Sequence, residues 1–342
     1  MAQGDIFSKS RDIKIAVIGG GTGSFTLLTG LKHYSSKIAA LVNMADDGGS
    51  TGKLRDELGA LPPGDVRQCL VALSRTPVLR DLFSYRFDNG SLEGHAFGNL
   101  FITALEKMTG DFGRAVELAS EVLNIAGTVE PITLTDVRLV LEQEGSPSVV
   151  GEFQIAHEKF DSVRPNLRLE PHAEANPKAV KAIKESDIVV IAPGNLYGSL
   201  APALIVPGIG EALKETKALK VYVCNLVTKP GQTDGFKVSD YAKEVERLAG
   251  VNFLDVVLYN NEEPNDELLE KYAKEGERYV VSDDMSNETY DALGANLISD
   301  VVWSNPNKSD PIAEARTLIR HDPDAVAKAL IALYRRYRAE VI

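Results

Sequence analysis

The sequence predicts an α/β fold: a mostly parallel sheet covered by helices on both faces, with an inserted helical and β-hairpin region. Three observations predict it. Short apolar runs of strand length alternate with helical stretches, a pattern that implies right-handed βαβ crossovers and a parallel sheet. The first apolar run passes directly into a glycine-rich turn. The alternation is then interrupted once, by a segment rich in β formers.

Residues 13–18 (IKIAVI) form a buried strand by composition, 24–34 a helix and 38–43 a second strand. Residues 66–74, 78–87, 97–109 and 112–124 carry apolar side chains three and four apart, the helical period. They make up a helical segment of about 66–125. Residues 129–142 and 149–157 flank the turn EGSPS and predict a β-hairpin insertion at about 128–160. The parallel pattern returns at 187–192, 221–225 and 254–260, each followed by a Gly- or Pro-containing loop and a helical stretch. A last helix, 325–338, ends in Arg335, Arg336 and Arg338, which offset the helix dipole. Residues 1–12 are expected to be a flexible tail, 305–310 (NPNKSD) an exposed loop, and 13–342 a single large domain.

The chain has 342 residues, 37 of them basic and 49 acidic, for a net charge of −12. With 44% hydrophobic and 25% charged residues the composition is globular rather than disordered. The acidic balance argues against a general nucleic-acid or anionic-membrane binder. Two cysteines without a CxxC suit a reducing cytoplasm and leave no thiolate zinc cluster. No apolar leader opens the chain, and no apolar run approaches the roughly 18 residues of a membrane span. The expectation is a cytoplasmic protein with no membrane span and no nucleic-acid partner. A homo-oligomer is among the arrangements left open.

The chemistry gathers where strands end. The first strand runs into Gly19-Gly20-Gly21-Thr22-Gly23-Ser24. Glycine lets the backbone turn sharply, and the helix that follows offers unpaired N–H groups to an anion. This is the physics of a phosphate-cradling loop. The spacing departs from GxGxxG at Ser24, and no GK[ST] follows to make a P-loop. The second strand ends in Asn43-Met44-Ala45-Asp46-Asp47. An acid about 20 residues beyond such a turn accepts a ribose hydroxyl, and two adjacent carboxylates can hold Mg²⁺ beside phosphates. Further candidates stand on other loops: Asp65, a possible N-cap, with Arg67; His95 and Asn99; Gly194, Asn195 and Ser199; Asn225 and Thr228. Parallel sheets bind ligands outside the carboxyl ends of their strands, which is where these loops converge. No GxSxG, HExxH or histidine metal spacing is present.

Five stretches carry a resemblance: GGGTGSFTLLTGLK, NMADDGGSTGKLRDELGALPPGDVRQCLVAL, GHAFGNLF, APGNLYGSLAPALIVPGI and VCNLVTKPGQTDGF. In this order they resemble the bacterial gluconeogenesis factor family, within the superfamily of 2-phospho-L-lactate transferase. The resemblance implies a Rossmann-like fold with an inserted region and a cytoplasmic location. It also implies binding of a UDP-sugar, UDP-N-acetylglucosamine, and a link to cell-wall synthesis and cell shape under gluconeogenic growth. In the transferase branch, Asp residues after the second strand serve metal-assisted transfer from a guanosine diphosphate carrier; Asp46 and Asp47 occupy that place here. In the gluconeogenesis branch a Tyr in Tyr-x-x-Glu-Gly and an Arg in Arg-His-Asp-Pro are associated with the sugar nucleotide. Tyr272 and Arg320 match those motifs. The stretch between them is longer than the family pattern. Two functions stand beside each other: a nucleotide-sugar-binding regulatory factor, and a Mg²⁺-dependent transferase acting on a nucleotide diphosphate. A dehydrogenase is disfavoured by the imperfect glycine fingerprint.

Overall fold

The computed structural model describes residues 13–143, 145–160, 164–264, 266–299 and 320–341. The expected tail, 1–12, and the expected loop, 305–310, lie outside the described residues. The chain begins β1 (Lys14–Gly19), α1 (Gly21–Leu31), β2 (Lys37–Val42), α2 (Gly49–Leu58) and α3 (Pro63–Leu73). It continues through α4 (Pro77–Ser84), α5 (Phe97–Thr109), α6 (Phe112–Leu123), β3 (Thr128–Pro131), β4 (Arg138–Glu142) and β5 (Val149–Val150). Next come α7 (Glu152–Ile155), β6 (Asn166–Glu170), α8 (Pro177–Glu185), β7 (Ile188–Ile191), α9 (Ala201–Leu204) and α10 (Ile209–Glu215). The last elements are β8 (Leu219–Val223), α11 (Val238–Ala249), β9 (Val256–Asn260), α12 (Asp266–Glu275), β10 (Asp291–Ala295) and α13 (Pro323–Val341).

Seven strands form one parallel sheet in the order β10-β9-β8-β7-β1-β2-β3. The centre of this sheet is apolar along its length because helices cover both faces. Ile15 and Ile18 of β1 and all of Ile188–Ile191 are buried. From β1 the chain builds outward through β2 to β3. It then returns to the other side of β1 and builds through β7, β8 and β9 to β10. The reversal leaves a switch point between β1 and β7, where the loops leaving the two strands part.

The insertion differs from a simple hairpin. Residues 129–142 do not form one arm: β3 joins the main sheet parallel to β2, with Val42 opposite Pro131. Gly127 makes this possible, since a Cβ there would lie 2.0 Å from the Ile38 carbonyl oxygen, so the chain can run close along β2. Only β4 enters the small sheet, an antiparallel trio in the order β5-β4-β6. Its second arm has two strand residues before the chain turns into α7.

Helix α2 is a further departure, because GSTGKLRDEL has the composition of a loop. Tertiary contacts hold it. Gly52 lets the helix approach the Asp47 carbonyl, to which a Cβ would come within 2.2 Å. Buried Arg55 donates to the carbonyls of Asp46 (2.9 Å) and Val137 (2.7 Å), tying the end of β2 to the insertion. At the other end of the chain α13 lies across α1. Tyr34 donates its hydroxyl to Asp324, and Gly30 sits against the Pro323 carbonyl. Among the described residues no single helix is long and apolar enough to cross a membrane.

A methyl group at Gly30 would fall 1.9 Å from the Pro323 oxygen, a backbone atom with little room to yield. Gly30→Ala is therefore expected to destabilise the protein by about 1–3 kcal/mol, the usual cost of overpacking. Urea unfolding should show a lower midpoint at an unchanged slope. An unaltered midpoint would mean that α1 and α13 are not held at this distance.

Candidate functional site

A cleft of about 350 Å³ opens at the switch point. Its floor is the glycine turn after β1, and Asp46 and Asp65 line it from the β2 side. From the far side it is lined by Gly194, Asn195 and Ser199 after β7, then by Asn225 and Thr228 after β8, and by Arg320. The insertion closes one end with Glu152, Phe153 and His157.

The glycine turn is itself the start of α1. Gly20 is the N-cap, in extended backbone, and Gly21 begins the helix at φ +60. That conformation is open to glycine and strained for a branched residue. Gly23 meets a different demand: a Cβ there would lie 1.7 Å from the Pro193 carbonyl oxygen. The helix start thus abuts the loop after β7. One expectation changes here. The Gly21 N–H is not vacant for an anion; it donates to the carboxyl of Asp65. Thr22 and Gly23, in the same first turn, line the cleft with N–H groups that have no intrahelical acceptor. Nor is Asp65 an N-cap. Helix α3 starts two residues before it, with Pro62 as the cap, and Asp65 points across to α1. Buried Asn43 also donates to Asp65, and Gln68 reaches it at 3.5 Å.

Asp46 and Asp47, adjacent in sequence, have separate partners. Asp46 faces the cleft and accepts from its own turn at Gly48 N–H (3.0 Å). Asp47 is engaged by the insertion. Its Oδ1 accepts from Phe153 N–H at 2.8 Å, and its Oδ2 lies 3.4 Å from Arg138 Nη1. The expected Mg²⁺-binding pair is therefore divided: one carboxylate lines the cleft, the other anchors a wall. Among the described residues no group of three or more His, Cys, Asp or Glu is arranged to enclose a metal ion.

Three carboxyls nonetheless share the cleft. Burial raises all of them above the ordinary carboxylate range. Asp65 is pushed up to about 7, first by burial and then by the Asp46 charge. Asp46 is raised by burial, opposed by hydrogen bonds from Gly48 and Thr51. Glu152 is held well above its usual value by burial and by Asp46, Asp65 and Asp47. Near neutral pH this cluster carries fewer charges than its residue count suggests.

On the opposite side the polar groups are locked together. Asn225 Nδ2 donates to the Gly194 carbonyl at 2.6 Å, and its Oδ1 accepts from Gly194 N–H (3.4 Å) and the Tyr222 hydroxyl (3.1 Å). Asn195 Oδ1 caps the π-helical turn Leu196–Leu200 by accepting from Tyr197 and Gly198. Thr228 pairs with Arg278 through N–H to carbonyl at 2.7 Å and Oγ1 to N–H at 3.1 Å. His321 also lines the cleft, and its Nε2 donates to the Cys224 carbonyl at 3.1 Å. Burial lowers that imidazole to about 4, so it is neutral at physiological pH.

Other sequence-selected residues lie behind the cleft. Gly19 and Ser24 support the turn, the Ser24 hydroxyl beneath the space over Gly19. Arg67 Nε donates to Asn99 Oδ1 (2.8 Å), Asn99 Nδ2 to Ser50 Oγ (3.2 Å), and Ser50 Oγ meets His95 Nδ1 at 3.1 Å. This buried network joins α2, α3 and α5. Tyr272 is buried beside Leu226, which does line the cleft, so Tyr272 backs the wall. Sequence reasoning missed Glu152, Phe153 and Gln68 as cleft residues.

Asp65 makes the pH dependence testable. A carboxyl whose folded pKa lies near 7, against about 3.9 unfolded, destabilises the fold at pH above 7. The penalty shrinks as pH falls through 7 and is gone below about 4. Asp65→Asn keeps an acceptor for Gly21. It should be more stable than the parent at pH 8, on the order of 1–4 kcal/mol, with the gain closing by pH 4–5. Denaturant melts of both proteins across that range check this; a difference independent of pH would refute it.

Comparison with known proteins places this geometry. The sequence model of the family described as 2-phospho-L-lactate transferase CofD matches residues 15–303. The gluconeogenesis factor of Bacillus subtilis is 40% identical over 324 residues, covering 94% of this chain and 98% of that protein. The gluconeogenesis factor of Halalkalibacterium halodurans is 40% identical over 321 residues, covering 93% and 95%. A crystal structure of a UPF0052 family member from Bacillus halodurans superposes with a TM-score of 0.84 at 38% identity, covering 93% of this chain and 99% of that one. The similarity runs through the sheet, the glycine turn and the insertion alike, and the chain belongs to the gluconeogenesis factor family, within the wider family of 2-phospho-L-lactate transferase.

Proposed function

We propose that this protein binds a nucleotide sugar, UDP-N-acetylglucosamine, in the switch-point cleft. It acts there as a cytoplasmic regulatory factor for gluconeogenic growth, cell-wall synthesis and cell shape, through occupancy rather than turnover. The observation that carries the reading is the meeting of a glycine-started helix with two differently lined arms in one cleft. A diphosphate fits at the first turn of α1, where Thr22 and Gly23 present N–H groups. Asp46, at the end of β2, stands where a ribose hydroxyl is met in such folds. Arg320 supplies the opposite arm with a positive charge suited to the ligand's phosphate. The relatives named as gluconeogenesis factors support the link to gluconeogenic growth.

An anionic ligand beside three carboxyls needs an offset. Burial and mutual repulsion raise Asp65 and Glu152 toward their neutral forms, and a neutral carboxyl does not repel a phosphate. With Asp47 committed to the insertion, the pair after β2 does not fit a shared Mg²⁺, and binding is expected to be metal-independent.

Calorimetric titration with UDP-N-acetylglucosamine, first in excess EDTA and then in millimolar Mg²⁺, tests this. Affinity should change by less than a few-fold. A gain of tenfold or more, about 1.4 kcal/mol, would favour Mg²⁺-dependent transferase chemistry instead. Gly21→Val should abolish binding in a folded protein, since the new side chain would take up strained backbone and project toward Ser199 across the cleft. Arg320→Ala should weaken binding by roughly 1.5–3 kcal/mol, and Arg320→Lys should restore part of it. Absence of binding by the parent protein would refute the proposal.

A further inference from the structure

We infer that Phe153 and His157, on the inserted segment, form a stacking platform for the nucleobase of the bound nucleotide. The inference rests on the nucleotide reading above and extends it to the residues that meet the base.

Phe153 is 40% exposed, and its ring lines the cleft. It is paired with a second ring: the His157 imidazole lies 4.6 Å away, centroid to centroid, tilted by 47°. His157 Nδ1 donates to the Phe153 carbonyl at 2.7 Å, one turn back. That bond orients the imidazole. The exposed Phe153 ring, braced by the tilted imidazole, provides an apolar surface on which a base stacks.

The platform is held before any ligand arrives. Phe153 N–H is fixed by Asp47. Gln232, itself buried, donates Nε2 to the carbonyls of Ile155 (2.7 Å) and Glu158 (3.0 Å). Phe160 N–H donates to the Gly231 carbonyl at 2.6 Å. Three points of attachment thus fix a segment whose helix is only four residues long.

Position selects the base over the sugar. Phe153 lies over the loop that follows β2: its Cδ2 is 3.4 Å from where a Cβ on Gly48 would stand. In open α/β sites the acid that follows β2 meets the ribose, and the base lies beyond it on the same side. Asp46 is that acid, so the base direction leads to Phe153. The other arm is lined by Lys229 and Glu277, polar residues that suit hydroxyl groups. Among the described cleft residues, Phe153 is the one that brings a benzene ring.

The test compares the parent, Phe153→Ala and Phe153→Tyr by calorimetry with UDP-N-acetylglucosamine, and by saturation-transfer NMR on the same ligand. The parent should bind, with strong transfer from protein aromatic protons to uracil H5 and H6. Phe153→Ala should bind about tenfold more weakly and lose that transfer, while the N-acetyl methyl signal persists. Phe153→Tyr keeps the ring and should bind within threefold of the parent. Melting temperatures of the variants confirm folding, as expected for an exposed position. A parent that binds while Phe153→Ala binds equally well overturns the platform alone. So does a variant that loses transfer to the sugar instead of the uracil. A parent that binds no nucleotide sugar overturns both this inference and the function on which it rests.

Discussion

The structure depends on a single topological constraint, the pairing of β1 in parallel with both β2 and β7. Three strands that start together must end together, so their outgoing loops meet at one edge. Because the chain builds in opposite directions from β1, those loops also diverge and leave a gap. The gap is narrow at its base, where Gly23 touches the Pro193 carbonyl, and a side chain there would push β1 and β7 apart. Sheet, helix start and cleft are therefore one object. The glycine turn serves the packing of the fold and the shape of the site at once.

Electrostatics follow from that geometry. A helix N-terminus buried at a strand end needs a negative partner, and Asp65 supplies one through the Gly21 N–H. Asp46 and Glu152 crowd the same space, so the carboxyls raise one another's pKa beyond what burial alone would do. The fold thus tolerates a destabilising cluster at its functional edge while its apolar centre compensates.

Much of the fold was legible along the chain because period and composition are local signals. Helix α5 runs over Phe97–Thr109, the span its apolar spacing predicts. The buried strands β1 and β7 announce themselves by apolar runs closed by glycine. What was not legible arises from distant contacts. Helix α7 is too short to show a period, and its side chains reach the cleft only because the insertion folds back over β2. Strand β10 (DALGA) has no β-branched residue and exists by pairing with β9. Asp46 and Asp47 look equivalent in sequence; only the position of Phe153 and Arg138 separates them. His95 and Asn99 sit in a glycine-flanked motif that resembles a site, yet their hydrogen bonds are directed toward each other's neighbours in the interior.

The attachment of the insertion at Asp47 has an evolutionary consequence. The glycine-turn end of the cleft is encoded in the sheet, whereas the opposite wall is carried by a segment fastened through a carboxylate and a few backbone groups. A lineage can remodel that segment, in length or in its aromatic residues, without disturbing the turn after β1. Descendants of one ancestor would then keep a common turn and helix start while diverging in the wall opposite. The Asp47 anchor point would be the residue to follow when tracing that divergence across the family.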